Sequence, residues 1–331
     1  MKRITVILII LAILLSVTPT VQGEEGKIKV VATLQIFSTF AKEIGGDMVD
    51  VDFIVPQGMD IHSYSLSYED IEKLQSSDLI ILASSEFFSI DKNIREKISG
   101  KEILDFEDYN ATLYSLGNFE RNVHGYWLYP NNAINITRAI ERKLELMDSA
   151  HSIYYQENLD KFEAEVGRTL ETIREIRENT NIGDKKVLLA VPGVFYIVKM
   201  LEIPIAGTIV KGPNQFISSQ ELSEIKDEIK RGEIGFVVNA EGLEKSKAGE
   251  IAIQLSHETG VKIVYVDIFS AENYTTILLK DSVALGGSTY VEIYPSLNCD
   301  YLPYVLSLLI IIAITSVIAY AAYHYRKELL K

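Results

Sequence analysis

The sequence predicts an α/β protein of two α/β lobes joined by a long rigid helix, with a cleft between the lobes. Two observations carry this. Short β-rich runs alternate with helical patterns twice, once in each half of the chain, and that order is the mark of parallel sheets with helices on their faces. Between the halves, Ser149–Thr180 contains no proline and one glycine, and Tyr155, Leu159, Phe162, Val166, Leu170, Ile173 and Ile176 recur every three or four residues. That is one apolar stripe on a helix of roughly 45 Å. A flexible linker would be short and rich in Gly and Ser; this segment is a strut, and the lobes should not swing far apart.

The first lobe is expected over residues 24–148. "KIKVVAT" (27–33) reads as a strand, "FSTFAKEIGG" (37–46) as a helix with a glycine stop, and "VDVDFIV" (49–55) as the next strand. Ser67 opens a helix with Asp70 at the capping-box position, and "DLIILA" (78–83) is a strand. Pro130 opens a further helix. The linking helix takes 149–180, and the second lobe 181–298. There "KVLLAV" (186–191), "IAGTIV" (205–210), "GFVVNA" (235–240) and "VKIVYVD" (261–267) read as strands. Segments 193–201, 218–232 and 245–260 read as helices.

The ends of the chain differ from its middle. Lys2 and Arg3 precede a fourteen-residue uncharged run, Ile4–Val17, and a small residue at Gly23. Residues 1–23 therefore read as a signal peptide, the run being short for a membrane span. Residues 302–323 are uncharged and apolar, and Tyr301, Tyr304, Tyr320 and Tyr323 lie at their two ends. As a helix they reach roughly 33 Å, enough for one transmembrane anchor. Arg326, Lys327 and Lys331 place the tail, 324–331, in the cytoplasm. The bulk of the chain is then expected outside the cell, on the cell membrane.

The net charge of −14 argues against a nucleic-acid partner and suits an outer surface that attracts cations weakly. The single cysteine, Cys299, excludes an internal disulfide, and it lies too far along the chain for an N-terminal lipid anchor. Asn110, Asn135 and Asn273 head glycosylation sequons.

Ligands of α/β sheets sit beyond the carboxyl ends of the strands. His62, Glu86, Glu241 and Asp267 all follow strand ends, and His124 precedes the Pro130 helix. His62 and His124 come from the first lobe and Glu241 and Asp267 from the second, so a cleft would collect them. A lone loop histidine is more often a surface residue, and Asp267 also fits a helix cap. His151 and His257 fall within helix patterns, and His324 lies beyond the apolar span. No Cys pair and no His-Glu-x-x-His run is present.

Residues 29–81 resemble the opening of the zinc/manganese-binding receptors of ABC importers, the cluster A-I metal-receptor family. The loop Pro56, Gly58, Asp60, His62, Tyr64 matches that family's Pro-x-Gly-x-Asp-x-His-x-Tyr/Phe signature, followed by "DIEKL" and "SDL". "HGYWLYP" resembles a second family segment, His-x-Trp-Leu-Asp-Pro, with one extra residue between His124 and Trp127 and Tyr129 in place of the Asp. The likeness continues to about residue 270. It implies a four-ligand site between the lobes, with His62, His124 and Asp267 as metal ligands. The remaining family ligand, His or Glu, falls at Val191, which has no donor, and "DIFS" replaces the usual Asp-Pro-Leu-Gly. Glu241 or Glu86 is an additional donor to consider, or water completes the site. The implied role is a non-enzymatic receptor that captures Zn²⁺ or Mn²⁺ and hands it to separate permease and ATPase subunits.

Two imidazoles and a carboxylate suit zinc and tolerate manganese. An open zinc position also fits a metal-dependent hydrolase, with Glu241 as base, although nothing in the sequence marks an oxyanion hole. A cleft adapted to another small solute is the other alternative.

Overall fold

The computed structural model describes residues 26–287, apart from 60, 213–214 and 270–272. The signal peptide 1–23, Cys299, the apolar span 302–323 and the tail 324–331 lie outside the described residues. Among the described residues no helix is long and apolar enough to cross a membrane.

The first lobe is built on a four-stranded parallel sheet of order β2-β1-β3-β4, comprising β1 (Ile28–Leu34), β2 (Val49–Val55), β3 (Leu79–Ile81) and β4 (Glu102–Leu104). The register pairs Val30 with Val51 on one side and with Leu79 on the other. Helix α1 (Gln35–Gly45) follows β1, α2 (Tyr68–Ser76) precedes β3, and α3 (Ser89–Lys97) precedes β4. The predicted capping box is present at α2: the Ser67 hydroxyl accepts from the Asp70 backbone N–H, and the Asp70 carboxylate accepts from the Ser67 N–H. Helix α4 (Pro130–Met147) starts with proline at its first turn, as expected.

The linking helix α5 spans Ser152–Thr180, after a short 3₁₀ turn at Ser149–His151. Its buried face is Tyr155, Leu159, Phe162, Val166, Thr169 and Ile173. This is the predicted stripe, except that Leu170 and Ile176 are only partly buried and Thr169 takes an inner position.

The second lobe repeats the plan with a four-stranded parallel sheet of order β10-β9-β5-β6. Its strands are β5 (Lys186–Leu189), β6 (Ile205–Thr208), β9 (Ile234–Ala240) and β10 (Lys262–Val266), and a small antiparallel pair joins β7 (Val210–Gly212) to β8 (Gln215–Phe216). Helices α6 (Phe195–Met200), α7 (Ser219–Lys230) and α8 (Lys247–Thr259) lie between the strands, and α9 (Tyr274–Gly287) follows β10.

Four elements were not read from the sequence, α3, β4, β8 and α9, and the strand expected at 205–210 is divided between β6 and β7. The first three are short. Helix α9 lacks a clean polar face because it is buried on several sides, at Tyr274, Ile277, Leu278, Asp281, Ser282 and Leu285. It also crosses the boundary between the lobes. Asn273, just before it, donates to Glu43 of α1 at 3.0 Å, Thr275 donates to Glu165 of α5 at 2.6 Å, and the Tyr274 hydroxyl donates to the Leu128 carbonyl at 3.0 Å. The Tyr274 ring packs 5.4 Å from Phe40 and 5.9 Å from Phe162. Buried apolar residues of both lobes and of α5 thus form one continuous core, consistent with the expected strut.

Candidate metal centre

The loop that carries His62 is shaped by its own sequence. Met59 N–H donates to the Pro56 carbonyl at 3.1 Å, closing a turn in which Gly58 has φ +78°. Farther on, the Tyr64 hydroxyl donates to Asp70 at 3.0 Å, the same carboxylate that caps α2. His62 is therefore pinned from both sides: by a glycine turn before it and by the start of a helix after it. Its ring packs 5.5 Å from Phe88.

His124 is oriented more tightly. Asn122 is fully buried. Its Oδ1 accepts from the His124 backbone N–H at 3.1 Å, while its Nδ2 donates to the Pro192 carbonyl of the second lobe at 3.0 Å. Those two partners fix which end of the amide is oxygen. The His124 Nδ1, 3.1 Å from that oxygen, must then carry the proton, and Nε2 keeps its lone pair. That Nε2 lies 3.2 Å from His62 Nε2. Two imidazole nitrogens on one tetrahedral zinc, at about 2.05 Å each, stand about 3.3 Å apart. The two histidines are 62 residues apart in sequence, yet they have the bite of a zinc-binding pair.

The second lobe reaches this place through a close backbone approach. Gly125, with φ +76°, comes so near that a Cβ there would stand 2.5 Å from the Gly193 carbonyl oxygen. A Cβ on Gly193 would stand 2.6 Å from the end of Ile268. The residues next to His124, next to Pro192 and next to Asp267 thus meet in one row. The Tyr196 hydroxyl adds a bond across the seam, donating to the Asn122 carbonyl at 2.5 Å.

On the second-lobe side the carboxylates are already engaged. Asp267 is buried, and its Oδ1 accepts from Phe269 N–H at 3.2 Å. Its Oδ2 faces Lys280 Nζ at 3.3 Å, and Glu241 lies 3.6 Å from the same ammonium. Behind Asp267 lies the buried Asp281, whose Oδ1 accepts from the Asp267 backbone N–H at 2.8 Å and whose Oδ2 has no hydrogen-bond partner among the described residues. Burial pushes the Asp281 carboxyl up to about 8, against the lowering effect of that bond.

The remaining candidates fall out as follows. Glu86 is bonded to Arg121 at 2.6 Å, and that guanidinium stacks 4.6 Å over Phe87; it is committed to the first lobe's surface. Val191 is buried two residues past the end of β5 and presents no donor. Among the described residues no group of three or more His, Cys, Asp or Glu side chains stands close enough to hold a metal ion. The structure therefore assembles the histidine pair, brings the Asp267 loop to the same seam, and leaves Asp267 and Glu241 on Lys280. Asn122 and Lys280 were missed from the sequence. A buried asparagine two residues before a histidine carries no signal of its own, and Lys280 lies on the helix whose periodicity is masked by burial.

Residues 30–287 match the family described as ZnuA, zinc-uptake complex component A, periplasmic. One relative is the iron ABC transporter substrate-binding lipoprotein MtsA of Streptococcus pyogenes serotype M1, 28% identical over 221 residues, which cover 62% of this chain and 71% of the relative. Another is the manganese ABC transporter substrate-binding lipoprotein PsaA of Streptococcus pneumoniae serotype 4, 27% identical over 191 residues, or 54% of this chain and 61% of the relative. Among solved structures, a zinc-bound ZnuA deletion mutant superposes with a TM-score of 0.70 at 19% identity, covering 81% of this chain and 100% of its own. The Mn²⁺ complex of the binding protein FpvC from Pseudomonas aeruginosa gives 0.67 at 15% identity, covering 80% and 98%. At such identities the likeness speaks for the fold alone: two parallel α/β lobes on one long helix. The match across nearly all the described residues, together with the signature loop around His62, makes this chain a member of the ZnuA zinc-uptake component A family.

Proposed function

We propose that the chain is the extracellular receptor of an ABC importer for a divalent transition metal, zinc or manganese. It captures the ion between its lobes and delivers it to a permease driven by an ATPase subunit. It is a binding component, as its relatives are, and not an enzyme. His62, His124 and Asp267 are the ligands of this reading, with Glu241 or water completing the shell in place of a donor at Val191. The observation that carries it is the Nε2–Nε2 separation of 3.2 Å, with the His124 tautomer set by Asn122. The relatives cited are called lipoproteins, whereas the only cysteine here is Cys299; in this reading residues 302–323 are the single-pass anchor, and the tail is cytoplasmic.

The test is metal content and titration calorimetry of the full chain in detergent. One Zn²⁺ or Mn²⁺ per chain is expected, and a chain that takes up neither ends the reading. A second reading, a cleft for another small solute, draws on Val191 and on the engagement of Asp267 by Lys280. It predicts no stoichiometric metal, and histidine variants with unchanged stability and ligand content.

A further inference from the structure

We infer that Lys280 is a tethered cation that competes with the metal for the second lobe's carboxylates and so sets both affinity and release. The inference rests on the metal-receptor reading above. Lys280 projects from the second turn of α9, thirteen residues after Asp267 begins the turn out of β10, and its ammonium is shared between Asp267 Oδ2 at 3.3 Å and Glu241 Oε2 at 3.6 Å. The Asp267 side chain is only 8% exposed, so this pair is better shielded from solvent than a surface ion pair. With Val191 donorless, these two carboxylates are the second lobe's anionic donors at the seam, and both are on the same ammonium.

A dication that gains Asp267 must therefore break the Lys280 contact. It must also sit near a fixed positive charge unless the lysine side chain swings away, which its 43% exposure permits. The reverse step is easier for the same reason. When the ion leaves, Lys280 returns to the carboxylate, so a buried Asp267 is never left bare. A lysine in this position weakens capture and speeds hand-over. It also favours ions that bind carboxylate strongly enough to displace an ammonium.

The measurement is zinc affinity by calorimetry and zinc release to a chelator by stopped flow, on the full chain and its variants. Lys280→Met should bind zinc about tenfold tighter, on the scale of one hydrogen bond to a charged group, and should release it correspondingly slower. Lys280→Arg, which keeps the charge, should stay near wild type. The gain should shrink when Lys280→Met is combined with Asp267→Asn, because the Asp267 contact is one of the two through which the ammonium acts. If wild type takes up one zinc and Lys280→Met binds it equally or more weakly, the competing role is wrong while the receptor reading stands. If neither protein takes up zinc, the receptor reading falls and this inference with it.

Discussion

The two lobes face the seam in opposite states. The first lobe presents two neutral donors, His62 and His124, already at zinc-binding separation, with one ring locked through Asn122. The second presents two carboxylates, Asp267 and Glu241, and both are occupied by an ammonium of its own helix α9. The difference follows from the chemistry of the groups. Neutral imidazoles can be brought together without a charge penalty, and one can donate to the other. Carboxylates at a partly buried seam repel each other and need a counter-charge. The lobe with neutral donors can therefore wait preassembled, and the lobe with charged donors waits neutralised.

The sharpest way to break this comparison is to remove a preassembled donor. His62→Ala or His124→Ala should weaken zinc binding by more than about 100-fold, since loss of a residue that merely supports a ligand already costs about 10–100-fold. Calorimetry measures it, and a small loss in both variants would mean that the histidine pair is not the anchor.

Next comes the residue that locks the pair. Asn122→Ala should cost about 10–100-fold in zinc affinity. Because Asn122 also bonds Pro192, some stability will be lost in any case. The discriminating readout is the nitrogen NMR spectrum of His124, in which the Nδ1-protonated form should no longer dominate. A variant that loses stability but keeps that tautomer would reduce Asn122 to a structural bond.

Adding a donor to the poorer lobe probes the other side. Val191→His should tighten zinc binding by about tenfold, the scale of one added interaction with a charged centre. Val191 sits two residues past the end of β5, directly before the Pro192–Gly193 turn that meets Gly125. An unchanged affinity would mean that the side chain there does not reach the ion.

The last effect is on stability, not affinity, and it concerns a buried acid of the first lobe. Asp91 is fully buried, accepts from Ser84 N–H at 2.7 Å and from the Thr33 hydroxyl, and has the Asp105 carboxylate as neighbour. Burial raises it to about 7, against the lowering effect of those hydrogen bonds. A carboxyl raised on folding holds its proton longer in the folded state. Its contribution to stability is full below the usual carboxylate range and is lost as pH rises toward and through 7. Between pH 4 and 7, Asp91→Asn should remove up to about 1.4 kcal/mol per pH unit of that decline. Denaturant melts of wild type and variant across this range measure it, and parallel pH profiles would refute it.

Much of the fold could be read from residues one at a time. The capping box at Ser67–Asp70, the proline start of α4 and the apolar stripe of α5 are local patterns with local causes, and all three are present as expected. The elements that escaped, above all α9, are those whose environment is set by distant parts of the chain. Tyr274 packs on Phe40 and Phe162, and Thr275 bonds Glu165. A helix surrounded by such partners has no polar face for periodicity to reveal. The candidate site divides in the same way. The turn around His62 was legible, since Pro56 and Gly58 are both nearby in sequence; the Tyr64–Asp70 bond that holds its other side was not.

The sequence by itself determined the two parallel α/β lobes, the strut between them and the identity of the donors available at the strand ends, because hydrophobic period, capping and turn chemistry act over a few residues. Only the tertiary structure decided which donors meet. The approach of Gly125 to Gly193, the span of Asn122 from His124 to Pro192, and the reach of Lys280 to Asp267 and Glu241 each join segments that no local rule relates. Glu86 and Asp267 both follow strand ends. One is bonded to Arg121 on its own lobe and the other stands at the seam between lobes, because packing over the whole chain, not position along it, sets which charge each carboxylate faces.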